Sequence, residues 1–234
     1  AHKVLLAAGI PTVENVGADL DKLSGKRCTF QGFPWKWHEG DACVIRLVAI
    51  LDPKGANRLE PGDVKKPAVK SSKKSAGQGI ELYDLTHRWG HGMPQWPSRA
   101  NLNVRVVEFH AKDGLLVQQF EGIMHRGTHM DAPIHVQENQ PTLTGYPLWR
   151  FFGTGVVVSI PKKKWGVITP KDLDNAEPKI RKNDIVMINT GSHKNYGDNP
   201  DYYAYSPGLY KEAAEWIVER GVKLVGIDVQ ALDH

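Results

Sequence analysis

Residues 125–135 read HRGTHMDAPIH, with His125, Gly127, His129, Asp131, Pro133 and His135 all at odd positions. In an extended chain, side chains two apart point to the same side, so three histidines and an aspartate share one face. A helix would keep His125 and His129 together but turn Asp131 away, and Gly127, Thr128 and Pro133 all oppose helix. Gly127 leaves an empty slot between two imidazoles, and Pro133, lacking an amide donor, predicts that the segment leaves its sheet there. The stretch therefore predicts a strand that carries a polar site.

Three imidazoles and a carboxylate aimed at one spot are costly to bury without compensation, and a divalent cation supplies it. Neutral imidazole nitrogen and carboxylate oxygen suit zinc, manganese or iron, and three protein ligands leave positions for water. Histidine is a minor residue here, ten in 234, so three within eleven positions point to a metal site rather than a histidine-rich loop. A purely structural zinc would more often recruit cysteine. The two cysteines, Cys28 and Cys43, each lie among apolar residues and read as small buried hydrophobes.

Working outward, IELYDL, LNVRVVEFH and GLLVQQFEG precede the cluster as strand-like segments separated by Gly, Pro and Asp signals. GTGVVVSIP and DIVMINTG follow it as short β-branched runs, typical of interior strands. Pro207–Arg220 reads as the best helix, capped by Ser206 and ended by Gly221, and KLVGID returns as a buried strand. Near the start, HKVLLAAG reads as a helix stopped by Gly9 and Pro11, followed by extended PTVENV. CTFQGF and ACVIRLVAIL read as strands, the second almost continuously apolar. Strands outnumber helices, which predicts a mixed α/β (α+β) domain.

The net charge of +4 has a local source. Lys65, Lys66, Lys70, Lys73 and Lys74 fall within KKPAVKSSKK, and the rest of the chain carries −1. The Ser, Ala, Gly and Pro neighbours of these lysines describe a solvated linker over 63–78, not a nucleic-acid surface, which would interleave aromatics. No apolar run approaches a membrane span, and the sequence opens with no charged-then-apolar leader. With two cysteines, the expectation is a reduced, cytoplasmic setting, with neither nucleic acid nor membrane as partner.

The spacing His-x-Gly-Thr-His-x-Asp-x-Pro-x-His resembles the signature of the metal-dependent cyclase-like hydrolases, a family that includes kynurenine formamidase and isatin hydrolase. LYDLTHRWGHGMPQWP (82–97) resembles that family's N-terminal strand and substrate-side loop, and SPGLYKEAAEWIVERGVKLVGIDVQALDH (206–234) its later helix and strand. The family also carries a His and a Glu twelve apart near its C-terminus. Here His2 and Glu14 have that spacing at the start of the chain. Family order would place 79–234 first and 1–62 after it, as one domain over 1–234. A circular permutant, a processed chain and a numbering that departs from covalent order all fit this exchange.

The resemblance implies a swivelling β/β/α fold and a homodimer or homotetramer. It implies that His125, His129 and Asp131 bind a primary metal, with one or two Zn2+ or Mn2+ ions per subunit. His135 would be a general base or a ligand to a second metal, a site that His2 and Glu14 would complete with Asp131 bridging; alternatively these two act in proton transfer. Trp89 and Trp96, with His91 and Met93, would wall a pocket for a small, aromatic substrate. The implied activity is hydrolysis of a C–N bond in an amide, cyclic amide or aryl formamide. Ester or lactone hydrolysis on the same site, a non-haem-iron-type oxidoreductase and a non-catalytic metal-braced binding protein are the rival readings. His110 and His193 have no evident partner in sequence. Asp228, ending KLVGID, lies where strands present polar groups to a cleft, and the tyrosine-rich NYGDNPDYYAYSPG reads as a pocket or subunit-contact loop.

Overall fold

A computed structural model describes residues 1–36, 38–53, 80–94 and 96–233; the 63–78 linker lies outside the described residues. The strands in chain order are β1 (Thr12–Glu14), β2 (Lys26–Gln31), β3 (Ala42–Val44), β4 (Val48–Leu51), β5 (Glu81–Asp84), β6 (Asn103–Glu108) and β7 (Val117–Glu121). They continue as β8 (His129–Asp131), β9 (Phe152–Ser159), β10 (Val167–Ile168), β11 (Ile185–Asn189), β12 (Gly208–Leu209) and β13 (Leu224–Ile227). Nine of them form one mixed sheet in the order β3-β8-β1-β13-β11-β9-β2-β4-β5. Its centre, β1-β13-β11-β9, is parallel, and antiparallel strands extend it on both sides. The sheet curls until its β5 edge approaches β1: Val16, just past β1, bridges Thr86, just past β5.

Alternation along the central strands explains the two-sided core. Val156, Val158, Val186, Ile188, Val225 and Ile227 face one apolar cluster, where Ala213, Ala214 and Ile217 of the helix Lys211–Arg220 pack. Val157, Ile185, Met187 and Leu224, one residue out of step, face the other cluster inside the curl with Phe30 and Met130. Each fully buried aliphatic side chain contributes roughly 1.5–3 kcal/mol to such a core. A Cβ at Gly155 would stand 1.9 Å from the Ile185 carbonyl oxygen, so β9 and β11 reach their register only with glycine there. The strand-rich mixed α/β expectation holds, with few and mostly short helices.

Two sequence expectations are corrected. ACVIRLVAIL is two strands, not one: β3 joins one sheet edge beside β8, while β4 pairs β2 and β5 near the other. Between them Ile45 and Leu47 are buried, so continuous hydrophobicity marked burial and hid the break. The helix expected over 207–220 begins at Lys211, because Gly208 and Leu209 pair as β12 with β10. Ser206 does not cap it; its hydroxyl donates to the Tyr202 carbonyl. Gly221 ends the helix in the left-handed conformation as expected (φ 71°). Among the described residues no helix is long and apolar enough to cross a membrane.

Candidate metal centre

β8 lies between β3 and β1, with His129 opposite Glu14 and Asp131 opposite Thr12. Met130 points into the core, so His129 and Asp131 share the other face with Glu14 from the neighbouring strand. The remaining imidazoles arrive differently from the extended geometry expected for 125–135. Only 129–131 is strand; Gly127 turns in the left-handed region (φ 56°), and Pro133–His135 form a 3-10 turn. Glycine accepts a backbone conformation that L side chains resist, and proline suits the first position of a helical turn. Three local conformations, not one strand, bring the side chains together.

The convergence is close. His125 Nδ1 lies 2.9 Å from Asp131 Oδ1, and His129 Nε2 lies 3.4 Å from the same oxygen. His2, on the first turn of the helix His2–Ala7, places Nε2 2.8 Å from Glu14 Oε1 and 3.6 Å from Asp131 Oδ2. Glu14 Oε2 lies 3.6 Å from His129 Nε2, and Glu14 Oε1 accepts from the Leu232 amide. His125, His129 and Asp131 form one group able to hold a cation; His2, Glu14 and Asp131 form a second, with Asp131 common to both.

The outer nitrogens of these three imidazoles are each tied to an acceptor. His129 Nδ1–H donates to the Gly127 carbonyl at 2.9 Å, which leaves the Nε2 lone pair facing the centre. His125 Nε2–H donates to Asp41 at 2.9 Å, and His2 Nδ1–H donates to Asp233 at 3.0 Å. Such outer partners fix tautomer and ring orientation at metal sites. Facing inward, His2 Nε2, His129 Nε2 and Asp131 Oδ1 are buried and make no hydrogen bond, despite lying within ion-pair distance of one another's neighbours. Imidazole nitrogens and carboxylate oxygens that converge at 2.8–3.6 Å without well-aligned hydrogen bonds fit a cation at their common point.

Electrostatics agree. Burial alone would lower the His2 imidazole, but Glu14, Asp131 and Asp233 outweigh it and push it up to about 12. Burial likewise opposes, and Asp131 and Asp41 raise, His125 to about 9. Asp131 is held well below the usual carboxylate range: burial would raise it, but His129, His125 and His2 prevail. Hydrogen bonds from His125 and His135 hold Asp41 low as well. The cluster demands positive charge, which protons or a metal ion can supply.

His135 stands at the rim, exposed, its ring 3.9 Å from that of His125 and its Nδ1 3.6 Å from Asp41 Oδ2. With His125 and Asp41 it makes a third possible cation group, while His125 and Asp41 link it to the inner cluster. Asp41 and Asp233 escaped the sequence reading. Asp41 sits 84 positions from His125 and Asp233 sits 231 from His2, and neither falls in a patterned motif.

Trp89 packs beside Gly127 and edge-on to Phe120. Trp96 instead lines a cavity of about 220 Å3 with Trp165, Tyr203 and Asp233, so it adjoins the cluster only through Asp233. His91 points away, its ring against the Val104 carbonyl at 2.5 Å, and Met93 is buried over Gly127. His193 does have a partner: its Nδ1 lies 2.9 Å from Asp228 Oδ2. Asp228, fully buried, also accepts from the Thr190 amide and hydroxyl and from the Gly191 and His193 amides, and so braces the loop after β11. Cys28 and Cys43 are buried and unpaired.

A family model described as a putative cyclase matches residues 83–234, which include His125–His135 but neither His2 nor Glu14. Kynurenine formamidase of Bacillus cereus (strain ATCC 10987 / NRS 248) is 23% identical over 154 residues, covering 65% of this chain and 70% of its own length. Cyclase-like protein 1 of Arabidopsis thaliana is 24% identical over 160 residues, 64% of this chain and 62% of its own length. A solved structure, of a potential metal-dependent hydrolase with cyclase activity, aligns with TM-score 0.53 at 21% identity, over 65% of this chain and 69% of that one.

Proposed function

From the premise that this chain belongs to the putative cyclase family, we propose that it is a metal-dependent hydrolase that opens the C–N bond of an amide, cyclic amide or aryl formamide. The observation that carries the reading is the convergence of buried inward atoms of His2, His129 and Asp131, which lie within ion-pair distance of neighbouring ligands but lack well-aligned hydrogen bonds. The relatedness to a kynurenine formamidase supports the substrate class. His125, His129 and Asp131 would hold one divalent ion, and His2, Glu14 and Asp131 a second. When bound, such an ion acidifies water and polarises a carbonyl oxygen.

The chain's own residues supply the rest. His135, exposed at the rim, takes a proton from the attacking water and returns it to the leaving nitrogen. Asp41 holds His125 and lies near His135, which orients both imidazoles. Glu14, fixed by the Leu232 amide and facing His2 and His129, keeps the inner imidazoles aligned. Three imidazoles and two carboxylates outnumber the two-histidine, one-carboxylate set of a mononuclear iron oxygenase, which favours hydrolysis over the oxidoreductase reading. The expected homodimer or homotetramer draws support from exposed Phe109, Leu116 and Phe120 on and beside the β6–β7 hairpin. Light scattering tests it.

The test of the activity is a panel of N-formyl anilines, isatin-like rings, simple amides and lactones, assayed with metal-replete protein and again with chelator. Chelator-sensitive cleavage of the nitrogen substrates is the expected result. Turnover of lactones alone would move the protein to ester chemistry, and no turnover of any member would remove the hydrolase reading.

A further inference from the structure

Glu14 and His129 form the last pair of the β1–β8 ladder, the position at which two paired strands would begin to fray. The next residues, Asn15 and Thr128, hold that end shut by a different bond. Asn15 stands in the left-handed region (φ 55°), which asparagine tolerates better than most residues, and so turns the chain out of the ladder directly after Glu14. Its amide donates to the Val229 carbonyl at 2.9 Å, and its carbonyl accepts the Thr128 hydroxyl at 2.6 Å. The Thr128 oxygen in turn accepts from the His87 amide at 3.0 Å, which leaves its proton for Asn15. From the other side comes the tyrosine-rich loop, which the hydrolase reading leaves without a role. Tyr202, on the short helix Pro200–Tyr203, donates its hydroxyl to Asn15 Oδ1 at 2.6 Å. Asn15, Thr128 and Tyr202 are all buried, so water cannot replace a bond that is lost.

We propose that Asn15 is a positioning residue of the metal centre: anchored by Tyr202 and Thr128, it holds the Glu14 carboxylate and the His129 imidazole at the separation a shared centre requires. This rests on the metal centre of the hydrolase reading and extends it to side chains that supply no ligand atom. Glu14 Oε2 and His129 Nε2 lie 3.6 Å apart on neighbouring strands, so a small shift of either backbone changes the spacing of both ligand groups. The Leu232 amide fixes the Glu14 carboxylate itself, whereas Asn15 fixes the backbone that carries it. Thr128 does the same for His129, one residue before it. Outer partners of this kind tune metal affinity without touching the ion.

The experiment titrates chelator-stripped protein with Co2+, whose visible absorption reports the geometry of its ligands, in wild type and four variants. Thr128→Val removes the hydroxyl and Thr128→Ser keeps it. Asn15→Gly keeps the left-handed turn but removes the acceptor of Tyr202, and Tyr202→Phe removes the donor alone. Co2+ affinity should fall about tenfold or more in Thr128→Val and Asn15→Gly, and by less in Tyr202→Phe, each with a shifted spectrum. Thr128→Ser should restore both affinity and spectrum. A role in stability alone would lower the melting temperature of the variants and leave the affinity and spectrum of the folded protein as in wild type; that result overturns the proposal. Should Thr128→Val not fold, Tyr202→Phe and Asn15→Gly decide by the same two readouts. The expected Co2+ changes without turnover of any amide would remove the hydrolase reading and uphold the role of Asn15, while a wild type that binds no Co2+ would overturn it.

Discussion

Asp41 Oδ2 lies 2.9 Å from His125 Nε2, on the side of the imidazole away from Asp131. One side chain of the inner cluster is thus oriented by a carboxylate that is itself exposed and immediately precedes β3, the edge strand beside β8. Asp41→Asn keeps an acceptor but loses the charge, and Asp41→Ala loses both. Metal affinity should fall about 10- to 100-fold, more in the alanine variant, as outer-shell changes do elsewhere. Competition against a chromophoric chelator measures it, and an unaltered affinity in Asp41→Ala would show that His125 needs no such support.

Metal removal should cost stability as well as activity. Inner donors that a cation would satisfy are otherwise compensated by protons on His2 and His125. At a free metal concentration about 100-fold above Kd, binding stabilises by roughly 2.7 kcal/mol, which is about 5–10 °C for a domain of this size. Thermal melts with chelator, and again after Zn2+ or Mn2+ is restored, check this; a melting temperature indifferent to both ions would sink the metal centre.

His135 at the rim is predicted to act on protons more than on metal. His135→Gln should lower kcat by about 10²- to 10⁴-fold, the range of general-base removal, with a smaller loss of metal affinity. Were affinity to fall as far as kcat, His135 would instead be a ligand in the group it forms with Asp41 and His125.

His87 should make the fold acid-sensitive. Burial, aided by His193, lowers its imidazole to about 4, against about 6.5 in the unfolded chain. Below pH 6.5 the unfolded state therefore binds a proton that the folded state refuses, so stability falls as pH drops from about 6.5 towards 4. Above 6.5 both states are neutral and the effect vanishes. His87→Phe, which retains a ring against Tyr196, should flatten this part of the profile. Urea unfolding at pH 7 and pH 5 gives the comparison, and an unchanged difference between the two pH values would refute the assignment.

The sequence alone determined those features that depend on a few neighbouring residues. The short β-branched runs at Val156–Val158 and Ile185–Ile188 announced interior strands, Gly221 announced a helix end, and the phase of His129 with Asp131 placed both on one face. These follow from the two-residue period of a strand and the steric freedom of glycine, which act within a turn or two of chain. The His2 and Glu14 spacing was legible too, though only by resemblance; the contact of Glu14 with His129 came from the pairing of β1 with β8.

Tertiary structure decided the rest. It broke ACVIRLVAIL into strands at separate parts of the sheet, since apolar residues bury equally well with or without a strand through them. It brought Asp41 to His125, Asp233 to His2 and Tyr196 to Gly127, pairs separated by 69 to 231 positions. No local rule reaches that far: which side chains meet across the sheet depends on strand order and on how strongly it curls. Those are set by the packing of the whole core against its helices, not by any stretch short enough to read alone.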